Sequence, residues 1–202
     1  MRTSAGNAPS LARNQSAGTT PSRDVSFAAM LRGINVGGKN KLPMADLVAM
    51  FGDAGCTDVQ SYIQSGNVTF RATLARAAQA ASQVEADIEK RFGYAIPIVL
   101  RTGDELLEVR GNNPFLRDGA AADRVHVMFL ADTPDPARVA SLDAQRSAPD
   151  AFVVRGRDVY LHLPNGVAKT RLTNQYFDSS LKTTSTVRNW NTLLKLVEMT
   201  GG

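Results

Sequence analysis

The chain has 202 residues, 43% of them hydrophobic, 21% charged and 6% aromatic, with a formal net charge of +4, the composition of an ordinary globular protein. No apolar run approaches the roughly 20 residues that cross a bilayer, and no apolar h-region follows the N-terminal arginines, so neither a membrane span nor a secretory signal is expected. A lone Cys56 cannot form an internal disulfide, and with the widely spaced His126 and His162 it cannot assemble a Cys/His metal site; a cytoplasmic protein without metal or cofactor is the expectation.

Residues 1–23 carry three arginines and no acid, are rich in Ser, Thr, Ala, Gly and Pro, and lack the apolar side chains that would offset ordering entropy. They read as a disordered tail, although an Arg-bearing, acid-free segment also resembles an organelle transit peptide. Residues 24–154 are net −3 and residues 155–202 net +4. Positive charge therefore collects at the two ends of the chain, which suits a phosphate-bearing or otherwise anionic partner as well as a merely solvated basic face.

The apolar run Val25–Leu31 predicts a buried strand. A Gly-rich loop follows, and Pro43 opens an amphipathic helix whose Met44, Leu47, Val48 and Phe51 share one face before Gly55. Val59–Gln64 and Asn67–Arg71 predict two strands joined by a two-residue turn, Ser65-Gly66, which would pair Gln64 with Asn67 and set Ile63 beside Val68. A long Ala-rich helix from Leu74 to Phe92, stopped by Gly93, leads to a strand at Ile96–Arg101. The order β-α-β-β-α-β is that of a ferredoxin-like unit over residues 24–101.

Residues 102–202 predict a second α+β subdomain of similar topology. The capping box Thr102-x-x-Glu105 opens a helix at 103–110; Val125–Leu130 is a strand, Pro136–Asp143 a weak helix, and Phe152–Arg155 with Asp158–Leu163 a hairpin around Gly156. A helix at Leu172–Leu181 and a short strand at Thr184–Val187 precede a final helix, capped by Asn189, with Trp190, Leu193, Leu194 and Val197 on its apolar stripe. The fold class is α+β, with two subdomains that share topology but show no evident residue-level repeat.

The chemistry concentrates in Leu31–Met44, which holds Arg32, Asn35, Gly37, Gly38, Lys39, Asn40 and Lys41 and no acid. Glycines let backbone amides converge on an anion, and the lysines add point charge. Gly33, Gly38 and Lys39 nearly match G-x-x-x-x-G-K, but Asn40 stands where Ser or Thr would hold magnesium, and a hairpin at Ser65-Gly66 contradicts the parallel sheet such a loop needs. In a βαββαβ unit this loop and the turn Gln64, Ser65, Gly66 and Asn67 emerge at one end of the sheet. From the basic C-terminal stretch, Arg188 and Asn189 are candidates to face them across a shared cleft, with Arg188 as a bidentate clamp; Trp190 reads as core and Asn189 also as a helix cap. Neither histidine sits in a nucleophile motif, and Cys56 reads as a packing residue.

The segments LRGINVGGKNKLPMADL, YIQSGNVTF, NNPF and TVRNWNTLLKL, in that order and spacing, resemble the bacterial domain-of-unknown-function family 1697. The resemblance covers about residue 25 to the C-terminus, matches Arg32, Gly33, Asn35, Gly37, Gly38, Asn40, Ser65, Gly66, Asn67, Arg188, Asn189, Trp190 and Asn191, and implies a two-subdomain α+β protein without assigning an activity. Cys56 and Val187 depart from the family pattern. Three functions stay open: a binder of an anionic small molecule or nucleotide, with single-stranded nucleic acid as a further ligand; a metal-free enzyme acting on a phosphorylated or carboxylated metabolite; and a protein-interaction or structural role.

Overall fold

Eight strands pair into two antiparallel sheets in the computed structural model, which describes residues 23–202; the tail expected at the N-terminus falls on residues 1–22, outside the described residues. The first sheet has the order β2-β3-β1-β4, from β1 (Val25–Leu31), β2 (Thr57–Tyr62), β3 (Asn67–Ala72) and β4 (Ile98–Thr102). Helices α1 (Met44–Asp53) and α2 (Leu74–Phe92) are its crossovers. The second sheet repeats the order as β6-β7-β5-β8, and here β5 is Val125–Leu130, β6 Ala151–Arg155, β7 Asp158–His162 and β8 Ser185–Asn189. Its crossovers are α5 (Pro136–Ala140) and α6 (Asn174–Leu181). Both units are thus βαββαβ, and the α+β class with two similar subdomains holds.

Each unit ends by running straight from its last strand into a helix. Thr102 caps α3 (Gly103–Gly111) through a complete capping box with Glu105, and Asn189 caps α7 (Trp190–Met199), accepting from the Thr192 amide at 2.8 Å. A short α4 (Pro114–Arg117), capped by Asn113, is an element that sequence patterning does not predict, because four residues are too few to show a period.

Strand alternation divides the apolar residues among three cores. Phe27, Ala29 and Leu31 of β1 face α1 and α2, where Phe70 stacks on both Phe27 and Phe51. Met128 and Leu130 of β5 face α6, with Phe177 and Leu181. The centres of the opposite faces do not meet water either. Ala28 and Met30 from the first sheet, Val125, Val127 and Phe129 from the second, Leu106 and Val109 of α3, and Trp190, Leu193 and Leu196 of α7 form one core common to both units.

The β2–β3 connection differs from expectation. Tyr62 pairs with Asn67 and Ser61 with Val68, leaving Ile63-Gln64-Ser65-Gly66 as a four-residue turn, so Ile63 is half-exposed instead of lying beside Val68. The Asn67 amide closes this longer turn by donating to the Tyr62 carbonyl (3.2 Å) and the Ser65 hydroxyl (3.0 Å). The turn is also packed from beneath. A Cβ on Gly66 would lie 2.8 Å from Leu31 Cβ and 2.9 Å from Ile34 Cδ1, at φ +77°.

Two expectations follow. Gly66→Ala combines a left-handed backbone with overpacking and should cost about 3 kcal/mol in urea unfolding, whereas Gly93→Ala, at φ +76° in open space, should cost only about 1 kcal/mol. Equal costs would show that contact with Leu31 and Ile34 does not constrain the turn. His126, on β5, has a buried Nδ1 without a partner among the described residues, and burial lowers its pKa against a smaller opposing effect of the Arg124 backbone. Its folded pKa is below the unfolded one, so the neutral imidazole contributes stability that is lost as pH falls from about 6.5 through the folded value. Urea midpoints should therefore decline on acidification across that range, and His126→Gln should flatten the decline.

Candidate functional site

The twelve residues between β1 and α1 form a finger. Val36 and Lys39 bridge around Gly37 and Gly38, both at positive φ (+57° and +77°), the backbone of a tight I′ turn that glycine accepts without strain. Asn35 and Asn40 shape the base of the finger from the left-handed region (φ +54° and +48°). Asn35 Nδ2 donates to the Leu42 and Gln64 carbonyls, both at 2.9 Å, and Asn35 Oδ1 accepts from the Leu42 amide. Asn40 Nδ2 donates to the Gly33 carbonyl at 2.9 Å. The finger and the 63–66 turn are therefore neighbours, tied by Asn35. Lys39, Lys41 and Gln64 are exposed, while Arg32 is ion-paired with Asp178 of α6 and donates to the Ser185 carbonyl.

Arg188 reaches the same place from the second sheet. Only 8% exposed, it crosses to the first unit and donates from Nη2 to the carbonyls of Leu31 (2.7 Å), Gly66 (3.2 Å) and Ser65 (3.3 Å), and from Nε to Asn67 Oδ1. Nη1 is engaged by Thr186 Oγ1 and the Val187 carbonyl. The guanidinium that sequence analysis assigns to direct anion clamping instead stands inside the wall, cross-linking the two subdomains with every N–H group engaged. Asn189, the other residue expected to line a cleft, is taken up as the α7 cap. Burial pushes the Arg188 pKa down to about 10, so it remains a cation at neutral pH, and among the described residues no carboxylate forms an ion pair with it.

The residue that sequence analysis missed is the counterpart of Arg188. Arg101, 1% exposed at the end of β4, crosses in the opposite direction to the second unit. Its Nη2 donates to the carbonyls of Leu130 (2.9 Å), at the end of β5, and of Arg157 (2.6 Å), in the β6–β7 turn, and its Nε to Asp158 Oδ1 (3.2 Å). The match runs position by position: Leu31 with Leu130, Gly66 with Arg157, Asn67 with Asp158. An available signal was the arginine placed directly before each helix cap, Arg101-Thr102 and Arg188-Asn189. The chemical difference lies in the acceptor. Asp158 gives Arg101 a carboxylate at 3.0 Å, although burial still pushes the Arg101 pKa down and the Asp158 pKa up, whereas Asn67 gives Arg188 a neutral amide.

Hollows of the surface lie elsewhere. One of about 520 Å³ between α2 and the start of β8 is lined by Glu85, Glu89, Pro97 and Thr184 and gathers none of the predicted site residues. Another of about 400 Å³ opens beside Arg101. Among the described residues no cluster of three or more His, Cys, Asp or Glu side chains forms a metal site, and no helix is long and apolar enough to cross a membrane.

A family model described as a protein of unknown function, DUF1697, matches residues 25–160; the chain belongs to that family. Among solved structures, a conserved bacterial protein, SP0830 from Streptococcus pneumoniae, is similar with a TM-score of 0.69 and 23% identity over 89% of this chain and 100% of that one, which supports the fold. No curated protein matches.

The two arginines should differ when removed. Arg188→Met removes the shared donor of the Leu31, Ser65 and Gly66 carbonyls, of which Gly66 keeps the Leu31 amide, and should cost about 3 kcal/mol; Arg101→Met should cost more still, because it also leaves the Asp158 carboxylate without its counter-ion. Adding Asp158→Asn to Arg101→Met should recover part of that excess. Identical urea midpoints for the single and double variants would show that the Asp158 charge contributes nothing.

Proposed function

We propose that this DUF1697 member is an anion-binding module that holds a phosphate- or carboxylate-bearing small molecule, such as a nucleotide, at the finger and the adjoining turn. The observation that carries the reading is electrostatic. A glycine-tipped finger bearing the exposed Lys39 and Lys41 is anchored above Arg188, a buried cation that lacks an ion-paired carboxylate among the described residues. Charge buried in a low-dielectric wall is weakly screened, so its field adds to that of the lysines at the surface. Arg188 acts through this field, while Lys39, Lys41, the Gln64 side chain and the backbone of Gly37 and Gly38 supply the contacts.

Single-stranded nucleic acid fits less well. Ferredoxin-like domains that bind RNA stack bases on an open sheet face, and here Ala28, Met30 and Val99 of the corresponding face are buried in the common core. A second reading, a protein-contact surface, rests on Val36 and Ile63, which are 64% and 50% exposed on the finger and on the turn tied to it. The proposal also places the protein in the reducing cytoplasm, where the buried thiol of Cys56 needs no partner.

Isothermal titration with ATP, citrate and inorganic phosphate across a salt series tests the binding. Affinity should fall with salt, and Lys39→Ala and Lys41→Ala should each weaken it by about fivefold, in the range of one charge-assisted contact. Absence of binding at low salt, or binding indifferent to both lysines, would overturn the proposal.

A further inference from the structure

Besides its carboxylate acceptor, the junction around Arg101 differs from that around Arg188 in not being plugged. In the first unit the chain takes twelve residues from β1 to α1, and Ile34, 1% exposed, packs directly onto Gly66. In the second unit only five residues separate β5 from α5. The position matching Ile34, three residues beyond the strand, is Thr133, and Arg157 stands where Gly66 does. A cavity of about 400 Å³ remains, with Thr133 and Arg157 in its lining, a volume within the range of small-molecule sites.

The lining is charge-balanced. Arg101, Arg155 and Arg157 oppose Glu105, Glu108 and Asp158, with the hydroxyl end of Tyr160 beside them. The inner members are engaged with one another or with backbone: Arg101 with Asp158, and Arg157 with Glu105 and the Ala131 carbonyl. The rim members carry no ion pair among the described residues. Arg155 is exposed and donates from Nη1 to the Asn112 carbonyl, and Glu108 is exposed without an ion pair among the described residues. One cation and one anion on a common rim, around an otherwise neutralised interior, fit a ligand carrying one charge of each sign. A singly charged ligand would leave one rim group without a counter-charge.

We propose that this cavity is a second ligand site, separate from the finger, that takes a zwitterionic small molecule of the α-amino acid type, its carboxylate toward Arg155 and its ammonium toward Glu108. The guanidinium of Arg155 suits a carboxylate because it can donate two parallel hydrogen bonds. Arg101 and Asp158 form the floor, and Arg101 holds the β6–β7 turn, through the Arg157 carbonyl, directly after Arg155 at the end of β6.

The test uses the full chain and the free L-amino acids as probes, by thermal-shift screening followed by isothermal titration of those that raise the melting temperature. At least one should bind, and its N-acetyl and carboxamide derivatives, each stripped of one charge, should bind about tenfold more weakly or worse. Glu108→Gln should weaken the free amino acid while leaving its N-acetyl derivative unchanged, and Arg155→Gln should weaken the free form but not the carboxamide. Lys39→Ala should leave all these affinities as they were, which separates this site from the finger. Absence of binding by every amino acid, equal binding of the singly charged derivatives, or indifference to both rim variants in protein that melts normally would overturn the proposal.

Discussion

The structure depends on an exchange of arginines. Each βαββαβ unit extends one guanidinium from its last strand into its partner, where it gathers the carbonyl at the end of the first strand and those of the hairpin turn. These carbonyls lie where a sheet ends and water is excluded, and an unpaired buried carbonyl costs more than most contacts gain. A guanidinium is the side chain that can serve several at once, because its five donors radiate in one plane. The common core supplies the apolar area, and the arginines tie the end of each first strand and its hairpin turn to the other unit.

Because the exchange is reciprocal, differences between the two junctions stand out against a shared background. Asn67 against Asp158 decides whether the crossing arginine is neutralised locally. Loop length decides whether the turn is covered. The first junction combines an arginine without a carboxylate partner and a long finger that covers the turn and carries lysines outward; the second combines a compensated arginine and a short connection that leaves space. One scaffold thus offers two electrostatic environments, one positive at its surface and one balanced within a recess.

Most of the architecture was legible in the sequence because periodicity reports burial. The apolar runs Val25–Leu31 and Val125–Leu130, the stripe through Trp190 and Val197, and the caps at Thr102 and Asn189 each follow from a local rule. The turn departs from its local pattern because two rules compete there: Ser65-Gly66 reads as a two-residue hairpin, yet Gly66 is needed for close approach to Leu31 and Ile34, and Asn67 closes a wider loop with its side chain. The neighbourhood of finger and turn followed from topology. The role of Arg188 did not, since a basic residue before a helix looks the same whether it faces solvent or spans an interface, and Arg101 in an apolar strand gave no sign of its carbonyl partners 29 and 56 positions away.

The crossing contacts also bear on the order in which the chain can become native. Arg188 lies 157 residues from Leu31 and 122 from Gly66, so the first unit, although synthesised first, keeps the end of β1 and its hairpin turn without this donor until β8 of the second unit has been made. Contacts of such separation carry a large loop-closure cost and form late. The crossing of Arg188 into the first unit and the docking of α7, which follows it directly, into the common core are therefore expected among the late steps of folding, after the first sheet has paired.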